Sequence, residues 1–166
     1  MILSVTILAL VSLQRLGELA LARRNTRRLI ARGAVETGAA HYPVIVGLHA
    51  VWLGGLWWLA WDRPPNLLWL GVYLVIEVAR VWTLASLGER WTTRIISLPQ
   101  EPLVRRGPYR FFPHPNYAVV CAEIAVLPLV FHLWLYAAVF TVLNASILWI
   151  RVRAEERAIR AVGVDL

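Results

Sequence analysis

Residues 37–61 carry no formal charge, and residues 111–150 carry a single one, Glu123. A water-soluble domain has too little polar surface to enclose two such runs, whereas a bilayer solvates them directly. As one continuous helix the second run would measure about 60 Å, roughly twice the hydrocarbon thickness. It must therefore fold back on itself, and Leu127-Pro128-Leu129 with His132 is the expected bend. Two further apolar stretches, residues 1–22 and 67–87, bring the expected number of spans to five. The composition agrees, with 59% hydrophobic and 16% charged residues and a mean hydropathy of +0.61. Such figures exclude a disordered chain or a collagen-like fibre, and the single cysteine, Cys121, excludes a disulfide scaffold. For residues 1–22 a signal peptide is the rival reading, since Ala20-Leu21-Ala22 looks like a cleavage site. No basic segment precedes the apolar run, so a retained first span is expected.

The net charge of +7 is carried by 17 basic residues, all of them Arg. They fall in short blocks beside apolar runs rather than along a stripe, which argues against nucleic acid and for membrane flanks that attract lipid head groups. With five spans, fourteen of the 17 lie on one side: Arg23 to Arg32, Arg90 to Arg110, and Arg151 to Arg160. Arg63, in the turn Asp62-Arg63-Pro64-Pro65-Asn66, stands opposite. The expected topology places the amino terminus outside and the carboxyl terminus in the cytoplasm. The fold class is thus an all-α integral membrane protein: five transmembrane helices and a structured cytoplasmic loop before a C-terminal helical hairpin. It forms one membrane domain, with N-terminal spans in residues 1–66 and a second half in residues 67–166.

Ionisable groups inside spans are costly and mark a cavity or a buried pair. Glu77 and Arg80, three apart on one helix, could neutralise each other. Glu123 has no partner nearby in sequence. Arg15 and Glu18 share a helix face near the basic end of the first span, where Arg can snorkel. His49 reads as a packed, hydrogen-bonded residue without a role. Trp52, Trp57, Trp58, Trp61 and Trp69 read as an interfacial belt.

The most informative segment runs from Leu103 and Val104 through Gly107-Pro108-Tyr109 to Pro113-His114-Pro115-Asn116-Tyr117. Its prolines and glycine impose a rigid non-helical backbone whose polar groups are free to bind a ligand. A second polar cluster, Arg151-Val152-Arg153-Ala154-Glu155-Glu156, follows the last span. On a helix Arg151 and Glu155 are i,i+4 neighbours and could form a solvated salt bridge.

Together these clusters resemble the isoprenylcysteine carboxyl methyltransferase family of membrane enzymes. Its signature is a G-x-Y-x-x-x-R-H-P-x-Y loop before a two-span hairpin, then R-x-x-x-E-E at the exit. Glu77-Val78-Ala79-Arg80 and Leu87-Gly88-Glu89-Arg90-Trp91 also look like the family's approach to that loop. Pro113 stands where most members have Arg, which removes a charge and a backbone donor but leaves His-Pro-x-Tyr intact.

The resemblance implies methyl transfer from S-adenosylmethionine. Leu103, Val104, Tyr109, His114, Pro115, Asn116, Tyr117 and Glu155 would line the cofactor site, with Arg80 and Arg151 at the substrate end. The acceptor, a lipophilic small molecule or a prenylated protein, would enter from the bilayer between spans three to five. A carboxylate acceptor needs no base and could be held by two Arg. A phenol or enol would need one, with Glu123 or His114 as candidates. Small bacterial members of the family are associated with alkylpyrone- and alkylresorcinol-type lipids, and Lys-free Arg usage fits a GC-rich bacterium, hence an inner-membrane location. No metal-ligand cluster stands out, so a metal-free enzyme is expected. The alternative is a small transporter or ion-pathway subunit using Glu77, Arg80 and Glu123.

Overall fold

The computed structural model describes residues 1–98 and 104–161. Five helices follow one another: α1 (Ile2–Ala31), α2 (Tyr42–Ala60), α3 (Leu67–Leu87), α4 (Pro115–Val130) and α5 (Trp134–Ala161). Four of them, α1, α2, α3 and α5, are long and apolar enough to cross a membrane. The fifth, α4, is apolar but has only 16 residues, about 24 Å of helix against a hydrocarbon core of about 30 Å. It lies between α3 and α5 and packs closely on both.

Each boundary has a local cause. The Asn66 side chain caps α3 by accepting from the backbone N–H groups of Leu68 and Trp69 at 3.0 and 3.2 Å. The Asn66 N–H donates in turn to the Val130 carbonyl at 2.7 Å, which ties the start of α3 to the end of α4. The bend expected at Leu127-Pro128-Leu129 with His132 falls at the His132 end of that segment. Pro128 stays inside α4, and its carbonyl accepts from Phe131 and Leu133. The reversal itself uses His132, which takes the left-handed conformation with φ of 61°.

One addition to the all-helical expectation is a two-stranded antiparallel ribbon, β1 (Val35–Thr37) with β2 (Ile95–Ser97), in which Glu36 pairs with Ile96. Each strand is three residues long, too short for a periodicity to be visible in sequence.

The apolar core sits at the end away from the arginine blocks, where Leu8, Trp52, Leu56, Ile124, Leu127 and Phe131 are fully enclosed. Trp52 therefore belongs to the core and not to an interfacial belt. Trp57 donates to the Ser12 hydroxyl at 3.0 Å, and Trp69 packs edge-on against Trp134. Trp58 and Trp61 remain exposed, as do Leu10, Leu13, Val75, Val78 and Val142 on the outer faces. Helix α5 comes close to α2 at Gly55, where a β-carbon would collide with the Tyr136 hydroxyl. The Tyr136 hydroxyl donates to the Trp52 carbonyl at 2.8 Å.

Helix α1 is built inside-out. Its protein-facing stripe follows the three–four spacing Ser4, Leu8, Val11, Arg15, Glu18, Ala22, Asn25, Leu29, while Leu10 and Leu13 point outward. Arg15 and Glu18 do not snorkel. The Arg80 guanidinium grips Glu18 with Nε and Nη2, both at 2.6 Å, and Glu123 with Nη1 at 2.8 Å. Arg15 closes the quartet, 2.8 Å from Glu123 and 3.1 Å from Glu18. Glu77 does not pair with Arg80; it accepts from the Gln14 amide at 2.6 Å.

Two outcomes follow for detergent-solubilised protein, both read by thermal unfolding. Gly54 has open space around it, so Gly55→Ala should lower the midpoint by the equivalent of about 1–3 kcal/mol while Gly54→Ala does not. Glu123→Gln leaves two guanidiniums with one carboxylate, for an expected loss of about 3–5 kcal/mol. Wild-type melting of that variant would mean that the quartet does not fix α1.

Candidate active site

The site is assembled where the C-terminal ends of α1, α3 and α5 meet the N-terminal ends of α2 and α4. Gly107 is the pivot of the loop. Its φ is 57°, and a β-carbon there would collide with the Ser86 hydroxyl on α3. The Arg106 Nε donates to the Ser86 carbonyl at 2.6 Å, pinning the same point. A 3-10 turn, Gly107–Arg110, then presents Tyr109. Pro115 opens α4 as its first residue, where its missing N–H costs nothing. Trp91 is buried beneath and donates to the Asn116 side chain at 3.3 Å, while its carbonyl accepts from Asn25 of α1 at 2.9 Å.

The His114 ring stacks on Tyr117, with centroids 5.6 Å apart. Its Nδ1 lies 3.7 Å from a Glu155 oxygen and its Nε2 lies 3.8 Å from a Glu156 oxygen. These separations exceed hydrogen-bond length, so the groups face one another without being joined. Three buried polar atoms here have no partner: His114 Nε2, Glu155 Oε2 and Arg151 Nε. Arg151 does not pair with Glu155 as its helical neighbour; its Nη2 donates to the Thr93 carbonyl at 2.8 Å. Thr93 is itself held by the Tyr42 hydroxyl at 3.1 Å, and the Arg94 guanidinium lies over the Tyr42 ring. Burial, and then the Glu155 carboxylate, hold the Tyr109 hydroxyl well above the ordinary tyrosine range, so it stays protonated and can donate.

These groups open into a cavity of about 1080 Å³. Val104, Tyr109, His114, Asn116, Tyr117 and Glu155 line one end of it, with Arg151, and Arg80 also reaches the wall. Pro115 is buried behind the lining, and Leu103 lies outside the described residues. Glu123 sits behind Arg80 and Arg15 at 1% exposure, and neither it nor Glu77 reaches the cavity. Among the described residues no group of three or more His, Cys, Asp or Glu side chains converges as metal ligands would.

The other end of the cavity is apolar and its walls come from the first two helices: Leu16 and Leu19 of α1, and Ile45, Val46 and Leu53 of α2. Helix α4 packs against both α3 and α5. Arg15, Glu18, Tyr42 and His49 also line this space. Their part in the site was missed in the sequence, although two opposite charges three residues apart in an apolar run were a signal for α1.

Comparison with known proteins gives the family. No solved structure matches the chain. The uncharacterized protein YpbQ of Bacillus subtilis (strain 168) is 37% identical over 163 residues, covering 95% of this chain and 97% of its own. Residues 69–161 match the isoprenylcysteine carboxyl methyltransferase family. That match contains α4, the loop pivot at Gly107, and both polar clusters. The chain is a multi-pass membrane protein and belongs to the isoprenylcysteine carboxyl methyltransferase family, a family of integral-membrane methyltransferases.

Proposed function

We propose that this chain is an S-adenosylmethionine-dependent O-methyltransferase whose acceptor is a lipophilic molecule drawn from the bilayer. The observation that carries the reading is a single cavity with two chemistries: partnerless polar atoms of His114, Glu155 and Arg151 at one end, and an apolar α1–α2 chamber at the other.

The residues present fit the cofactor. When bound, S-adenosylmethionine supplies a sulfonium-activated methyl group. Glu155 and Glu156 set a negative potential suited to a cation. Tyr109 offers a donor, and His114 Nε2 and Arg151 Nε offer hydrogen-bonding capacity that the protein itself leaves unused. Asn116 is oriented by Trp91. Because alignment of the reacting atoms provides much of the acceleration in such a displacement, a rigid loop pivoting on Gly107 is itself a catalytic asset.

Acceptor class follows from Arg80. Each nitrogen of its guanidinium already donates to Glu18 or Glu123, so its charge is balanced by carboxylates of the protein before any substrate carboxylate arrives. A neutral phenolic or enolic hydroxyl, as in an alkylresorcinol or alkylpyrone lipid, fits that balanced wall better than a carboxylate. The same locked pairs argue against an ion path through Glu77, Arg80 and Glu123. With fourteen of the 17 Arg on the site's side, the site faces the cytoplasm of a bacterial inner membrane, where a soluble methyl donor is available.

The test is calorimetry with S-adenosylhomocysteine on detergent-purified protein. The wild type should bind saturably, and His114→Ala and Glu155→Ala should each weaken binding by about 10-fold or more. No binding by folded wild-type protein would remove the reading. At the other end of the cavity, Val46→Trp should raise KM for a long-chain acceptor by about 10-fold, because a bulky ring displaces apolar contact, while S-adenosylhomocysteine affinity stays near that of the wild type.

A further inference from the structure

We propose that His49 is the general base of this site, taking the proton from the hydroxyl of a phenolic or enolic acceptor; this rests on the methyltransferase reading above. His49 is on α2, one turn beyond Ile45, and its ring lines the cavity. Its Nδ1 lies 2.8 Å from the Ile45 carbonyl. A carbonyl can only accept, so Nδ1 carries the hydrogen and Nε2 keeps its lone pair. The helix has thus fixed the tautomer and left the basic atom for whatever enters the cavity. The same cavity is lined by Arg15, Arg80 and Arg151.

The other basic groups are poorly placed for this task. Glu123 is enclosed behind two guanidiniums, and Glu18 accepts from Arg80 through both oxygens. His114 stacks on Tyr117 opposite Glu155 and Glu156, at the polar end. The charged groups that line the cavity with His49 from the elements around it include Arg15 and Glu18 from α1, Arg80 from α3 and Arg151, Glu155 and Glu156 from α5.

The step balances. The acceptor oxygen gives its proton to His49 Nε2 and forms a bond to the methyl carbon. The carbon–sulfur bond breaks, and its electron pair stays on sulfur. The positive charge lost at the sulfonium reappears on the imidazolium, so the total charge of the cavity does not change. A carboxylate acceptor, already ionised, would need no such base.

Two readouts test the assignment with His49→Gln, which keeps polarity and removes basicity. The first uses no methyl donor. A dodecyl-substituted 4-nitrophenol, whose phenolate is coloured, is titrated with protein across pH. The bound probe should ionise at lower pH in the wild type than in His49→Gln, by about one unit or more. The second compares turnover of 3-pentadecylphenol with that of N-acetyl-S-farnesylcysteine. The substitution should lower phenol methylation about 100-fold more than carboxylate methylation, with recovery at high pH where the phenol ionises unaided. Equal loss for both acceptors, or identical probe ionisation in the two proteins, would overturn the assignment and make His49 a packing residue. S-adenosylhomocysteine affinity is measured alongside. Retained affinity in both proteins with an unaltered probe titration would overturn the base alone, whereas no affinity in the wild type would overturn the methyltransferase reading with it.

Discussion

Four charges in a low-dielectric interior hold this molecule in register. Apolar helices in lipid gain little from burying one another, because hydrocarbon tails are as apolar as leucine. Polar contacts therefore decide where α1 sits. Without the Arg15–Glu18–Arg80–Glu123 quartet, α1 would keep only scattered polar contacts to the rest of the bundle, among them Ser4 to the Arg63 carbonyl, Gln14 to Glu77, Asn25 to the backbone near Trp91, the Trp57 indole to Ser12 and Arg28 to Glu89. Two positive and two negative charges cancel, and the Arg80 fork matches the Glu18 carboxylate with two short bonds. The match offsets the cost of desolvation only while all four remain. One cluster thus joins α1 to both α3 and α4.

That constraint shapes the cavity. Because α1 is fixed by its polar stripe, it need not pack tightly along α2, and the gap between them becomes the apolar chamber. Arg15, Glu18 and Arg80 present their flanks to this chamber, yet their charges are internally satisfied. A wall of this kind offers local dipoles without a net charge. It is hospitable to a neutral, weakly acidic headgroup, and it leaves the negative potential to Glu155 and Glu156 at the opposite end.

Much of this was legible in sequence, and the misses share a cause. Long apolar runs located all five helices, because hydrocarbon thickness and helix rise leave little freedom. The Gly107-to-Tyr117 segment was legible because prolines and glycine have few conformations available. What could not be read were pairings between distant positions. Arg80 meets Glu18 and Glu123 from 62 and 43 residues away, so the nearby Glu77 was a natural but incorrect partner to weigh. The β1–β2 ribbon joins three-residue strands about 60 residues apart and has no periodicity of its own. His49 looked inert because a histidine on an apolar face is usually just packed; only the Ile45 bond and the cavity distinguish it.

Pro113 can now be placed in this scheme. It lines the cavity beside His114, at the position where most members of the family carry Arg. On α5, the Arg151 Nη2 donates to the Thr93 carbonyl, which leaves Nε without a partner, and Arg153 lies 3.8 Å over the Trp149 ring. Arginine at position 113 would bring a mobile cation to the turn before His114, close to Glu155 and Glu156. It could pair with those carboxylates or with an anionic acceptor group. Proline does neither, and its fixed φ stiffens the approach to the His114-Pro115 step. The acidic pair is then left to meet a cationic ligand, and no extra cation is supplied for an anionic acceptor. Under the proposed function, Pro113 and the carboxylate-bound Arg80 both favour a neutral hydroxyl over a carboxylate as the acceptor.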